Sequence, residues 1–240
     1  MRYSNAKRSL AGISLVLSLT AIVGCSHNVM TTANNSQSDL ITQTQPKTQA
    51  VTMDQLSQAQ IKDLQYLCEE EKLARDVYAV LFDKWQIQAF SNIGSTENRH
   101  IISVQDLAKK YGVPLNDALA AGKFNNAELQ QAYNDLTAKG LQNPEAALKV
   151  GAYIEELDIN DINKMTNEAL PTDIRQTFDW LNMGSRNHLR GFVRSMQNQS
   201  MTYQPQLLTQ AEYEAIINSP QERGGQGQGG GHGQGQRHAY

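Results

Sequence analysis

The chain has 240 residues, two cysteines and a formal net charge of −3. An acidic balance argues against a nucleic-acid partner, whose phosphate backbone is met by a basic surface. There is no P-loop, no Rossmann fingerprint, no Ser-x-x-Lys or Gly-x-Ser-x-Gly pattern and no helical repeat of fixed period, which removes the common nucleotide-binding and acyl-transfer classes.

Arg2, Lys7 and Arg8 precede an apolar run from Leu10 to Val23, the layout of a secretory signal and too short for a permanent span. The run closes on Ile22-Val23-Gly24-Cys25, a small residue before a single Cys, which resembles a bacterial lipobox. That resemblance implies removal of residues 1–24, diacylation of Cys25 and a lipid-anchored protein of the cell envelope. Ser26 in place of Asp after Cys25 implies outer-membrane sorting, facing the periplasm, in a Gram-negative cell. Loss of the three basic side chains would take the charge from −3 to −6. With Cys25 lipidated, no intramolecular disulfide is possible, so the fold must rest on its core, and Cys68 reads as a buried structural residue. Residues 25–53, rich in Asn, Gln, Ser and Thr, read as a disordered tether.

The periodicity predicts an all-α domain over residues 54–198. A first helix opens at Asp54, or near Ser57, and runs to about Trp85 without an internal Pro or Gly. A second opens at Asn92 or Ser95 and stops at Gly112-Val113-Pro114. Leu115 to Ala121 suggests one short helix, and Ala127 to Ala138 another with Asn125 or Asn126 as its cap. This helical excursion leaves the order of packing open. The third main helix starts near Pro144 and the fourth near Pro171. Thr209 and Glu212 form a capping box for a short helix in the extension 199–222. The Gly/Gln-rich stretch 223–240 reads as a disordered tail whose His232 and His238 make no site.

Each main helix carries a charged or imidazole intrusion in its apolar face. Glu71 shares a face with Leu64, Leu67, Cys68, Ala74, Tyr78 and Leu81, while Glu69 and Glu70 fall beside it. Glu97 and His100 form a Glu-x-x-His pair between Ile93 and Val104. Glu155 and Asp158 lie between Gly151 and Ile162, and His188 between Leu181 and Phe192. Carboxylates are almost never buried without a partner or a metal. A spacing of three sets two ligands on one helical face. Four carboxylates and two imidazoles suit a pair of iron or manganese ions, whereas a single zinc would need fewer ligands.

Four stretches carry a resemblance: Glu-Lys-Leu-Ala-Arg-Asp-Val-Tyr at 71–78, Ser-Thr-Glu-Asn-Arg-His at 95–100, Gly-Ala-Tyr-Ile-Glu-Glu-Leu-Asp at 151–158 and Ser-Arg-Asn-His-Leu-Arg at 185–190. Over residues 56–198 the chain resembles the ferritin-like superfamily and, within it, a bacterial and archaeal domain family of unknown function (DUF2202-like). The resemblance implies a four-helix bundle with a short helical insertion between its second and third main helices. It implies two irons that react with oxygen or peroxide, and the metal ligands Glu71, Glu97, His100, Glu155 (or Glu156), Asp158 and His188. Tyr78, seven residues after Glu71, would stand beside the metals without binding them. A second Glu-x-x-His would need Glu at 185, where this chain has Ser185; either Asp158 replaces that carboxylate or the site is incomplete. Without a Cys-x-x-Cys pair, electrons would come from an external donor. Two function classes follow: a membrane-anchored di-metal redox protein, or an envelope scaffold with a vestigial site. Self-association is left open, and a storage cage is disfavoured by the tether.

Overall fold

The structure is a computed structural model, and it describes residues 56–116 and 119–223. The signal segment, the lipobox with Cys25, the whole tether 25–53 and the tail from residue 224 lie outside the described residues. No helix among the described residues is long and apolar enough to cross a membrane.

Six helices follow one another: α1 Gln58–Trp85, α2 Gln88–Tyr111, α3 Ala127–Gly140, α4 Pro144–Met165, α5 Thr172–Gln197 and α6 Gln210–Ile217. α1 opens on a capping box between Ser57 and Gln60, the later of the two expected starts. α2 begins at Gln88, several residues before the expected start, and Ile87 supplies no side-chain cap. The cause is tertiary. Gln86 closes α1 in the left-handed region with φ 53°, and Phe90 is buried against Tyr78 and Phe192, so packing winds residues 88–91 into the helix. Gly112, at φ 68°, ends α2 in a left-handed cap as its sequence suggests. The expected short helix at 115–121 is not formed at residues 115, 116 and 119–121. The Ala120 carbonyl accepts instead from Lys72 Nζ of α1. α3, α4 and α6 begin at Asn126, Asn143 and Thr209, each side chain accepting from a first-turn N–H.

The four long helices form a bundle in which α1 and α5 each pack on both α2 and α4. α3 is inserted between the second and third of them and lies on α1 and α4. The crossover settles the order that the sequence left open. It leaves α2 beside the start of α1, where Gln65 donates to the Pro114 carbonyl. It ends beside the finish of α1, where the Trp85 indole N–H donates to the Gly140 carbonyl. The crossover therefore spans the bundle lengthwise, and α4 starts at the end where α1 stops. Between those stations Lys72 Nζ reaches the carbonyls of Ala120 and Lys123, and Asp76 accepts from Gly122 N at 2.9 Å. Glu69 accepts from Asn125 N and Asn126 N.

Apolar side chains fill the bundle in two clusters. One holds Leu73, Val77, Phe90, Ile154, Phe192 and Met196; the other holds Leu64, Leu67, Val104, Ile162, Phe178 and Leu181. Between them α1 contributes Glu70 and Glu71, α2 Glu97 and His100, α4 Glu155 and Asp158, and α5 Ser185 and His188, all buried. The hydrophobic ends keep water from a polar layer at mid-bundle.

Candidate metal centre

Two groups of donors meet in that layer. Glu71, Glu97 and His100 form one; Glu97, Glu155 and His188 form the other, and within each group the donor atoms lie within 4.8 Å of one another. Glu97 belongs to both. His100 Nδ1 is 2.7 Å from Glu97 Oε2 and 3.1 Å from Glu71 Oε2. His188 Nδ1 is 2.8 Å from Glu97 Oε1 and 3.4 Å from Glu155 Oε2. The two imidazoles stack with centroids 5.5 Å apart.

Those short distances are mostly not hydrogen bonds. Both oxygens of Glu97, Glu71 Oε1, Glu155 Oε2 and His188 Nδ1 are buried without a hydrogen-bond partner. Donor atoms crowd towards common points without aligning on one another, as they do around a cation. Burying such groups unpaired costs several kcal/mol each on the usual scales. The electrostatics agree: burial raises the Glu71 carboxyl to about 7 against the lowering pull of His100, and burial raises Glu155 to about 6 against the pull of His188. His100 is held up at about 10, burial being outweighed by Glu71 and Glu97. The carboxylates around them thus favour the protonated imidazoles of both His100 and His188.

The surroundings fix the rotamers. The Tyr78 hydroxyl donates to Glu155 Oε1 at 2.6 Å, so this phenol orients a carboxylate from α1 across to α4. Tyr78 also packs on Phe90 and Phe192. Trp180 meets His100 edge-on at 4.9 Å. Gly184 gives the imidazole its space: a Cβ there would stand 2.6 Å from His100 Cε1 and Nε2. Ser185 Oγ donates to the Leu181 carbonyl at 3.2 Å, an intrahelical bond, so the position where a second Glu-x-x-His would carry its carboxylate is turned back onto α5.

The expected residues thus divide. Glu71, Glu97, His100, Glu155 and His188 are brought together. Asp158 is fully buried with both oxygens unpartnered but belongs to neither three-residue group. Glu156, the alternative to Glu155, points elsewhere: it accepts from the Tyr203 hydroxyl and from the N–H groups of Gln206, Leu207 and Leu208. It ties the C-terminal extension to α4. Arg75 pairs with Asp76, and Arg190 with Glu222, Ser219 and the Ile216 carbonyl, so neither serves the layer. Cys68 lies in the apolar cluster with Leu64 and Leu67. Glu70 was placed beside the apolar face by its sequence position, yet it is fully buried with both oxygens unpartnered.

Residues 60–220 match the model of a family described as an uncharacterized protein domain, DUF2202. The chain belongs to this family. The DUF2202 region accounts for the whole bundle and for the docked extension through α6. The chain is 43% identical over 172 residues to the uncharacterized protein MJ0754 of Methanocaldococcus jannaschii, covering 70% of this chain and 92% of that one. The crystal structure of hypothetical protein MJ0754 from Methanococcus jannaschii superposes with a TM-score of 0.68 at 42% identity, covering 70% of this chain and 96% of that one. This DUF2202 member is a ferritin-like helical protein with two candidate ligand groups sharing one glutamate.

Proposed function

We propose that this protein is a lipid-anchored envelope protein whose bundle core holds two iron ions, or two manganese ions, and acts in oxygen or peroxide reduction. The observation that carries the reading is the pair of donor groups joined at Glu97, with buried oxygens and nitrogens that converge without bonding one another. The donor set fits: carboxylate oxygens and imidazole nitrogens with no sulfur suit iron or manganese. One ion would be held by Glu71 and His100 and the other by Glu155 and His188, with Glu97 between them. When bound, such a pair supplies the electron transfer that Glu and His cannot perform.

The chain's own residues do the rest. Glu97 offers one oxygen to each half of the site. Tyr78 holds Glu155 through its hydroxyl, and its ring belongs to the apolar cluster that excludes water. A surface cleft of about 280 Å³, lined in part by Tyr78, Phe90 and Gly94, lies on the α1–α2 side of Tyr78. Electrons would be brought by an external donor. The lipid at Cys25 would hold the domain at a membrane surface.

Ser185 favours a second reading, an envelope scaffold with a vestigial site, because its hydroxyl is committed to Leu181 and leaves a single Glu-x-x-His. Metal content separates the two. Protein purified under anaerobic iron loading and desalted should retain two ions per chain, and the iron absorption should change on adding peroxide. Retention of no ion, with the fold intact, would leave the scaffold reading.

A further inference from the structure

The donor groups leave two buried carboxylates unused. Glu70 and Asp158 are each 0% exposed, and none of their four oxygens has a hydrogen-bond partner. Glu70 is the residue before Glu71 on α1; Asp158 is one turn after Glu155 on α4. One turn further, Asp161 is partly exposed and carries Lys164 Nζ at 2.6 Å, with the lysine 65% in solvent. The series Glu155, Asp158, Asp161 climbs α4 by about 4.5 Å per step, from the buried groups to the surface. From α1 the Tyr66 hydroxyl donates to Asp161 Oδ2 at 3.4 Å.

α1 and α4 run antiparallel, with Tyr66 against Asp161 and Tyr78 against Glu155, so Glu70, one turn after Tyr66, falls opposite Asp158. Burial raises Glu70 most, and the charges of Asp161 and then Glu71 add to it. Asp158 is raised first by burial and then by Glu70, ahead of Glu71, Glu155 and Glu97. Glu70 and Asp158 therefore lie opposite one another, between Asp161 on the outer side and Glu71 on the inner. A buried metal site needs a way in, and the site itself is walled by two apolar clusters.

We propose that Glu70 and Asp158 bind a third hard divalent cation, more weakly than the pair, and that Asp161 delivers it from the surface towards Glu71. Oxygen-only ligands suit Mn2+ or Fe2+. The proposal rests on the di-metal reading of the neighbouring groups. Its alternative is a proton shared between Glu70 and Asp161, which would relieve the buried charge without any cation.

The test uses the full chain, freed of metal, with Mn2+ as the probe. Bound cation is counted by equilibrium dialysis and elemental analysis, and uptake is timed by stopped flow with a metal-chelating dye. Wild type should bind three Mn2+, two tightly and one weakly. Glu70→Gln, which is nearly isosteric and removes a buried charge, should fold, keep the two tight ions, lose the weak one and take up Mn2+ at least tenfold more slowly. Asp161→Asn should keep all three and slow uptake. If wild type and Glu70→Gln bind two ions each at the same rate, the third site is overturned while the di-metal reading stands. If wild type binds none, both are overturned.

Discussion

Glu97 Oε1 and His188 Nδ1 face one another across α2 and α5 at 2.8 Å, and neither atom makes a hydrogen bond. The same glutamate presents its other oxygen to His100 at 2.7 Å. One side chain therefore joins both halves of the layer. Glu97→Gln should abolish tight binding of both ions together, whereas Glu71→Gln or Glu155→Gln should weaken one more than the other. Calorimetric titration with Mn2+ reads the difference, and loss of only one ion in Glu97→Gln would contradict a shared ligand.

Proton and cation compete for the same atoms, so pH sets the outcome. Glu71 is raised from 4.5 to about 7, and His100 from 6.5 to about 10. A group raised on folding adds stability below its unfolded value and loses it as pH rises through the folded one. For both groups the metal-free protein is therefore favoured by acid; the Glu71 contribution is lost from pH 4.5 to about 7 and the His100 contribution from 6.5 to about 10. Cations replace the lost protons. The rise in Tm on adding Mn2+ should accordingly grow across these ranges. A pH-independent rise would show that these groups do not receive the metal.

Glu155 and Glu156 are adjacent in sequence and serve different ends. Glu156 accepts from one phenol and three backbone N–H groups of residues 203–208. Bonds to a charged acceptor contribute about 1.5–3 kcal/mol each, so Glu156→Ala should cost at least about 3 kcal/mol. It should expose the chain beyond Gln197 to limited proteolysis and leave the metal count unchanged. Glu155→Ala should do the reverse. Mass spectrometry of the proteolytic fragments, beside elemental analysis, checks both.

Gly184 tests how tightly the site is packed. An exposed helical Gly→Ala change stabilises by about 1 kcal/mol. Here the new Cβ would fall 2.6 Å from the His100 ring, so the imidazole must move or the helices part. Gly184→Ala should lower Tm and weaken metal binding, while circular dichroism stays helical. A gain in stability with unaltered affinity would mean His100 has room to spare.

Much of this was legible in the chain. Glu97 and His100 are three residues apart between Ile93 and Val104, and helical geometry alone puts them on one inward face. Glu71, Glu155 and His188 announce themselves in the same way. Glu70 does not, because a single inward face is the wrong picture of α1. That helix is covered by α2, α3 and α4, so Glu70, Glu71, Lys72, Leu73 and Ala74, more than a full turn, are all buried. The roles of Lys72 and Asp76 depend on the loop at Ala120–Lys123, which no local pattern connects to α1. The choice between Glu155 and Glu156 was likewise tertiary, decided by a segment some fifty residues downstream. The early start of α2 came from Phe90 packing on Tyr78, against the signal of its caps.

The most direct measurement is anomalous scattering from crystals of the domain loaded anaerobically with iron or manganese. Two peaks about 3–4 Å apart, one beside Glu71 and His100, the other beside Glu155 and His188, with Glu97 between them, are the predicted result. No peak in this layer, with Glu97 and the two imidazoles still packed together, would contradict the metal centre and leave an anchored helical scaffold.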